Sequence, residues 1–225
     1  MALNKSQTSL GVKVVLVVVA IAMVGFLFPA VFSLFNSNDS NANTQNTAKG
    51  AWDTIAAEYN ATVAQNDQAL KTNPTNYVIL VQQGNTYFDW ALKVMQASQT
   101  NQNLLGSDQP LWLSARQYYE RAAAATTTID APVQTDLSIA YHYSGETSKA
   151  VETVNKVIVQ NAEFAPAWFN LGVFYQAQGK NPDAVAAYQK ALALDPKGQT
   201  TSVDYAKQQI EVLGGSVTAT GTTSP

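Results

Sequence analysis

The chain has 225 residues, with 13 Lys and Arg against 16 Asp and Glu, for a net charge of −3. That balance excludes a basic nucleic-acid binder, which needs a concentrated positive face. The absence of Cys excludes disulfides, thiolate metal sites and thiol catalysis, and a single His, His142, excludes a multi-His metal centre and leaves little room for a Ser-His-Asp triad.

Residues 1–13 hold Lys5 and Lys13 and precede an uncharged run, Val14 to Phe35. At ~1.5 Å per residue, a helix over 14–35 is about 33 Å long, enough to cross a hydrocarbon core of about 30 Å. Gly25 and Pro29 are poor in a soluble helix but tolerated in lipid. The first cation after the run is Lys49, so the positive-inside rule keeps residues 1–13 in the cytoplasm and sends the rest outside, as a single-pass signal anchor. The alternative is a cleaved secretory signal that releases the protein. It competes less well, because a signal core is normally about 7–15 residues long. Residues 36–49, NSNDSNANTQNTAK, lack large apolar side chains and read as a flexible polar linker.

From residue 50 onward the apolar period is helical, with no strand-like alternation. Trp52, Ile55, Ala56, Tyr59 and Val63 mark a flanking helix within 50–73, which Pro74 follows. Residues 74–130 supply Leu80, Gly84 and Tyr87, then Ala115, Tyr119 and Ala122. A weaker copy occupies 131–164, where Leu137, Tyr141, Gly145 and Ala150 fit while Gln134 replaces the Trp, Ser138 the Gly, and Val154 and Val157 the aromatic and Ala. The pattern stands in full in 165–198, as Trp168, Leu171, Gly172, Tyr175, Gly179, Ala184, Tyr188, Ala191 and Pro196. Leu137 and Leu171, Tyr141 and Tyr175, Gly145 and Gly179, and Ala150 and Ala184 are each 34 residues apart. Tyr87 to Ala115 spans 28 residues where Tyr175 to Ala184 spans nine, so the first unit holds an insertion of about 19 residues, near 91–109. Its first helix should run on through Trp90, Val94 and Met95, with a polar loop leading to a second helix near Pro110. A capping helix within 199–214 carries Val203, Tyr205, Ala206, Ile210 and Leu213, and 215–225 read as a disordered tail.

The 34-residue period with W-x2-LG-x2-Y, then A-x3-Y-x2-A and a terminating Pro, resembles the tetratricopeptide repeat family over roughly Asn73 to Lys197. The resemblance implies an all-α solenoid of about three helix-turn-helix repeats with flanking helices, preceded here by one transmembrane helix. It also implies that the first helix of each repeat lines a concave groove that binds a peptide or helix. That face comprises Val81, Asn85, Phe88 and Asp89 in the first repeat, Thr135, Ile139, His142 and Tyr143 in the second, and Phe169, Val173 and Gln176 in the third. The family's carboxylate clamp needs Lys, Arg and Asn at inner positions that hold Val81, Asn85, Asp136, Pro166 and Asn170 here, so clamp-type binding is disfavoured. A mainly apolar groove suits an extended apolar segment or an amphipathic helix.

No phosphate loop, nucleophile elbow or zinc-protease pair is present, and the carboxylates are scattered singly. No catalytic, cofactor-binding or metal-ligating residues are assigned and no cofactor is expected. His142 reads as groove lining, with a pH-sensing role as the sharper alternative. The expectation is a membrane-anchored, extracytoplasmic, non-catalytic protein that binds a protein or peptide partner, as a scaffold or holdase-like adaptor, and no nucleic acid. Two alternatives stand beside it: a self-associating structural envelope protein, hence a homo-oligomer, and a non-catalytic accessory subunit of an envelope enzyme or assembly complex.

Overall fold

The computed structural model describes residues 42–216, with side chains from Lys49 onward. The anchor expected at 14–35, the stretch 1–13 expected in the cytoplasm and most of the expected tail lie outside the described residues. Among the described residues every regular element is helical, and no described helix is long and apolar enough to cross a membrane. Two compact units meet in sequence between Ala125 and Thr126.

The first unit holds α1 (Ala42–Thr72), α2 (Tyr77–Ser98), a 3-10 turn (Gln102–Leu104) and α3 (Gln109–Ala124). α1 begins at Ala42, inside the stretch whose composition reads as a flexible linker. Alanine, glutamine and threonine continue a helix that is already nucleated downstream, because propagation costs far less than nucleation. Asn76 caps α2 by accepting the Ile79 N–H at 3.2 Å. Pro110 sits in the first turn of α3, where its missing N–H has no helical partner to lose. Asn66 bonds Gln83, Tyr59 the Asp89 backbone, and Glu58 pairs with Lys93. Positions rise on α1 as they fall on α2, so the two helices are antiparallel.

α2 is packed by both α1 and α3. Toward α3, Phe88 meets Trp112 edge-on at 5.0 Å and Tyr119 at 6.4 Å. Gly84 lies under the Tyr119 ring, where a Cβ would come within 2.6 Å of the ring carbons. Toward α1, Trp90 stacks between Tyr59 at 5.5 Å and Tyr87 at 6.1 Å, and Tyr87 stacks on Tyr118 of α3 at 5.6 Å. The Arg121 guanidinium closes that column, 5.1 Å above Tyr118. Buried Asn66 donates to Gln83 at 2.8 Å, and Gln83 donates to Asp67 at 3.0 Å, so these amides enter the core with partners. In the inserted segment Leu104 is buried, and Asp108 accepts the Trp112 indole N–H at 3.0 Å, which ties the loop to the head of α3.

The second unit holds α4 (Ala131–Tyr143), α5 (Thr147–Gln160), α6 (Ala165–Ala177), α7 (Asn181–Leu194) and α8 (Val203–Val212). α4 pairs with α5, α6 with α7, and α5 with α6, while α8 covers α7. Gly145 and Gly179 have φ of 89° and 72°, the left-handed conformation that ends a helix and that glycine reaches without a Cβ clash. The next N–H in each turn closes back, Glu146 to Tyr141 O at 2.8 Å and Lys180 to Tyr175 O at 2.9 Å. Gly172 repeats the arrangement of Gly84: a Cβ there would lie 2.7 Å from the Tyr188 ring. After α7 the Asp195 carboxylate accepts the backbone N–H groups of Gln199, Thr200 and Thr201, at 2.8, 2.6 and 2.8 Å, and the hydroxyls of Thr200 and Thr201. Burial pushes this carboxyl up, but the bonds together outweigh it and hold the pKa below the usual value. They also fold the loop that delivers α8.

Candidate functional site

The residues expected to line a groove divide by burial. Phe88, Thr135, Ile139, Phe169 and Val173 are 3%, 3%, 1%, 0% and 7% exposed, so they are interior residues and not groove lining. Phe88 is enclosed by Trp112 and Tyr119. Phe169 is held between Tyr188 at 5.7 Å and Tyr205 of α8 at 6.0 Å. The Thr135 hydroxyl is turned back onto the Ala131 carbonyl at 2.8 Å. For Phe169 and Val173 the physical reason is the crowding of α6. α4, α5 and α7 pack on it and α8 reaches it through Phe169 and Gln176, so Ala165, Pro166, Ala167 and Phe169 to Phe174 are all buried. A face that a single helix pair would leave open becomes core when a further helix covers it.

The other expected positions keep some access. Val81 is half-buried against the cluster of Leu70, Leu80 and Ala122. Asn85 is exposed and accepts the Tyr119 hydroxyl at 2.7 Å. Asp89, one turn further along α2, is half-buried, and burial raises its carboxyl from 3.8 to about 6. These three lie on one stripe of α2 at intervals of four residues.

In the second unit Gln176 donates to Gln209 of α8 at 2.6 Å and accepts the Tyr188 hydroxyl at 2.9 Å. That use is structural: it locks the covering helix to the hairpin beneath it. His142 lies 5.1 Å from Phe174 and 4.9 Å from Tyr143, with Nδ1 3.2 Å from the Thr147 hydroxyl. Burial lowers its pKa from 6.5 to about 4, so the imidazole is neutral at physiological pH. That direction runs against the sharper reading of His142 as a sensor near neutrality. Tyr143 remains half-buried beside it.

Two surface concavities, one along Glu152 to Gln160 of α5 and one around Pro196 to Asp204, contain none of the expected groove residues. Among the described residues no group of three His, Asp or Glu side chains is placed to hold a metal ion. Sequence reading missed the aromatic column of Trp90, Tyr59, Tyr87 and Tyr118. Its signal was present in the helical spacing of Trp52 and Tyr59, with Tyr87 and Trp90 facing them.

Residues 165–197 match the family model described as Tetratricopeptide repeat. A solved structure described as that of MamA is 21% identical, with a TM-score of 0.51, over 70% of this chain and 87% of that one. A second, of the MamA protein, is 20% identical with a TM-score of 0.51, over 76% of this chain and 94% of that one. At these identities the likeness concerns the fold, which is that of stacked helix hairpins. No curated protein matches the sequence. Residues 165–197, which fold as α6 and α7, are thus similar to one tetratricopeptide repeat.

Proposed function

We propose that this chain is a membrane-anchored scaffold that binds polypeptide partners outside the cytoplasm and performs no catalysis itself. The observation that carries the reading is the repeat at 165–197, built on a helix pair in which Gly172 admits the Tyr188 ring. The uncharged run 14–35 supports the anchor, and Lys5 and Lys13 before it support the orientation. Six residues, 36–41, separate the proposed anchor from α1 and span at most about 20 Å, so the start of α1 is tethered near the bilayer. Confinement of that kind raises the effective concentration of membrane-bound partners and lets a modest affinity suffice.

The test is site-specific photocrosslinking of the full-length protein in its native membranes. A photoreactive residue at exposed Asn85 is compared with one at Val159, on the outer side of α5. A discrete protein adduct from position 85, absent from 159, supports the scaffold reading. An adduct at twice the mass of the chain identifies self-association in its place. Equal yields at both positions refute the reading. The anchor is tested separately: alkaline carbonate should leave the chain in the membrane pellet, and extraction into the supernatant would refute it.

A further inference from the structure

Asp89 is half-buried, yet no described residue gives its carboxylate an ion pair or a hydrogen bond. The charged groups near it on α1 and α2 are occupied elsewhere, and Arg116 of α3, the other helix packed on α2, pairs with Glu120 at 3.6 Å. Lys93, one turn along α2, pairs with Glu58 of α1. Tyr59 of α1 gives its hydroxyl to the Asp89 backbone carbonyl at 3.3 Å, and it stays protonated because burial, Asp89 and Glu58 push it up to about 12. Asn85, one turn before, is neutral and already accepts from Tyr119. The fold therefore holds this carboxylate partly out of water with no ion pair or hydrogen bond from the described residues, at a cost to its own stability.

We propose that Asp89 receives a Lys or Arg side chain from a partner polypeptide laid along the Val81–Asn85–Asp89 stripe of α2. Charge complementarity carries the choice of occupant. Much of the carboxylate's desolvation is already incurred on folding, so an arriving cation gains a charge-assisted hydrogen bond with little further loss of water from Asp89. An anionic or purely apolar side chain at that point would leave the charge unpaired. The inference rests on the protein-binding reading above and adds a specificity to it, opposite in sign to a clamp for carboxylates.

The experiment uses the full-length protein in nanodiscs and a positional-scanning library of acetylated, amidated hexapeptides. Arg or Lys at one position of the library should bind about tenfold more tightly than norleucine or Glu there, and the advantage should shrink as salt rises. Asp89→Asn should erase the preference while raising the melting temperature at pH 7, since it removes an uncompensated charge. Asp89→Glu should keep the preference. Equal binding of the norleucine and Arg pools, or a lower melting temperature for Asp89→Asn, overturns the proposal while the scaffold reading stands. Failure of every pool to bind overturns the scaffold reading at this face and the proposal with it.

Discussion

Gly172 and Tyr188 provide a direct measure of how each repeat is assembled. A Cβ at 172 would lie 2.7 Å from Cδ1 and Cε1 and 2.9 Å from Cγ of the Tyr188 ring. Carbons rest at about 3.5–4.0 Å, so the overlap is about 1 Å. The ring has no ready escape. Phe169 and Tyr205 flank it at 5.7 and 6.2 Å, and its hydroxyl is bonded to Gln176 at 2.9 Å. Overpacking of this kind costs about 3 kcal/mol, the upper part of the usual range, while replacing a mid-helix Gly by Ala returns about 1 kcal/mol. Gly172→Ala should thus destabilise the second unit by about 2 kcal/mol. The same unit already contains the alternative solution, with Ser138 and Val154, both buried, in the places of Gly172 and Tyr188. Tyr188→Val alone should cost about 3 kcal/mol in lost packing. In that background the methyl group added by Gly172→Ala meets open space, and the substitution should stabilise by about 1 kcal/mol. The double-mutant cycle, measured by urea unfolding with hydrogen exchange at the α6 amides, should show a coupling of about 3 kcal/mol. Additivity within about 0.5 kcal/mol would refute the claim that the glycine exists to admit the ring.

Phe169→Asp should unfold the second unit, seen as lost protection of the α6 and α8 amides, because it buries a carboxylate between Tyr188 and Tyr205; retained protection would return Phe169 to the groove. The His142 imidazole is neutral in both folded and unfolded chains above pH 6.5. As pH falls from 6.5 to about 4 the unfolded chain gains a proton that the folded chain refuses, so stability declines over that window by about 3 kcal/mol. His142→Gln should flatten that decline in pH-dependent urea unfolding of the second unit. Asp89, in the first unit, acts in the opposite sense: its raised carboxyl contributes stability that is full below pH 3.8 and lost as pH rises through about 6. Asp195→Ala leaves three backbone N–H groups and two hydroxyls without their acceptor and should cost about 2–4 kcal/mol, checked by a lower urea midpoint and faster exchange in residues 199–201.

Sequence alone determined the helical period, the 34-residue recurrence and the positions of the small and aromatic residues within it. These are local or fixed by spacing: Gly145 and Gly179 end their helices through their own φ, and Gly84 with Tyr119 identifies the first hairpin across its long insertion. It misjudged where α1 starts, because polar composition is a weak brake on a helix already nucleated downstream. Only tertiary structure decided which sides of the first helices remain open. Periodicity assigns one apolar stripe per helix, whereas α6 is covered from several directions, and α8 turns Phe169 and Gln176 from prospective contacts into internal joints. The state of Asp89 was equally invisible in the chain order: Lys93 stands four residues away, and only packing against α1 reveals that Glu58 takes it. Burial and the choice of ionic partner depend on what arrives from distant segments, and no spacing along a single helix encodes that.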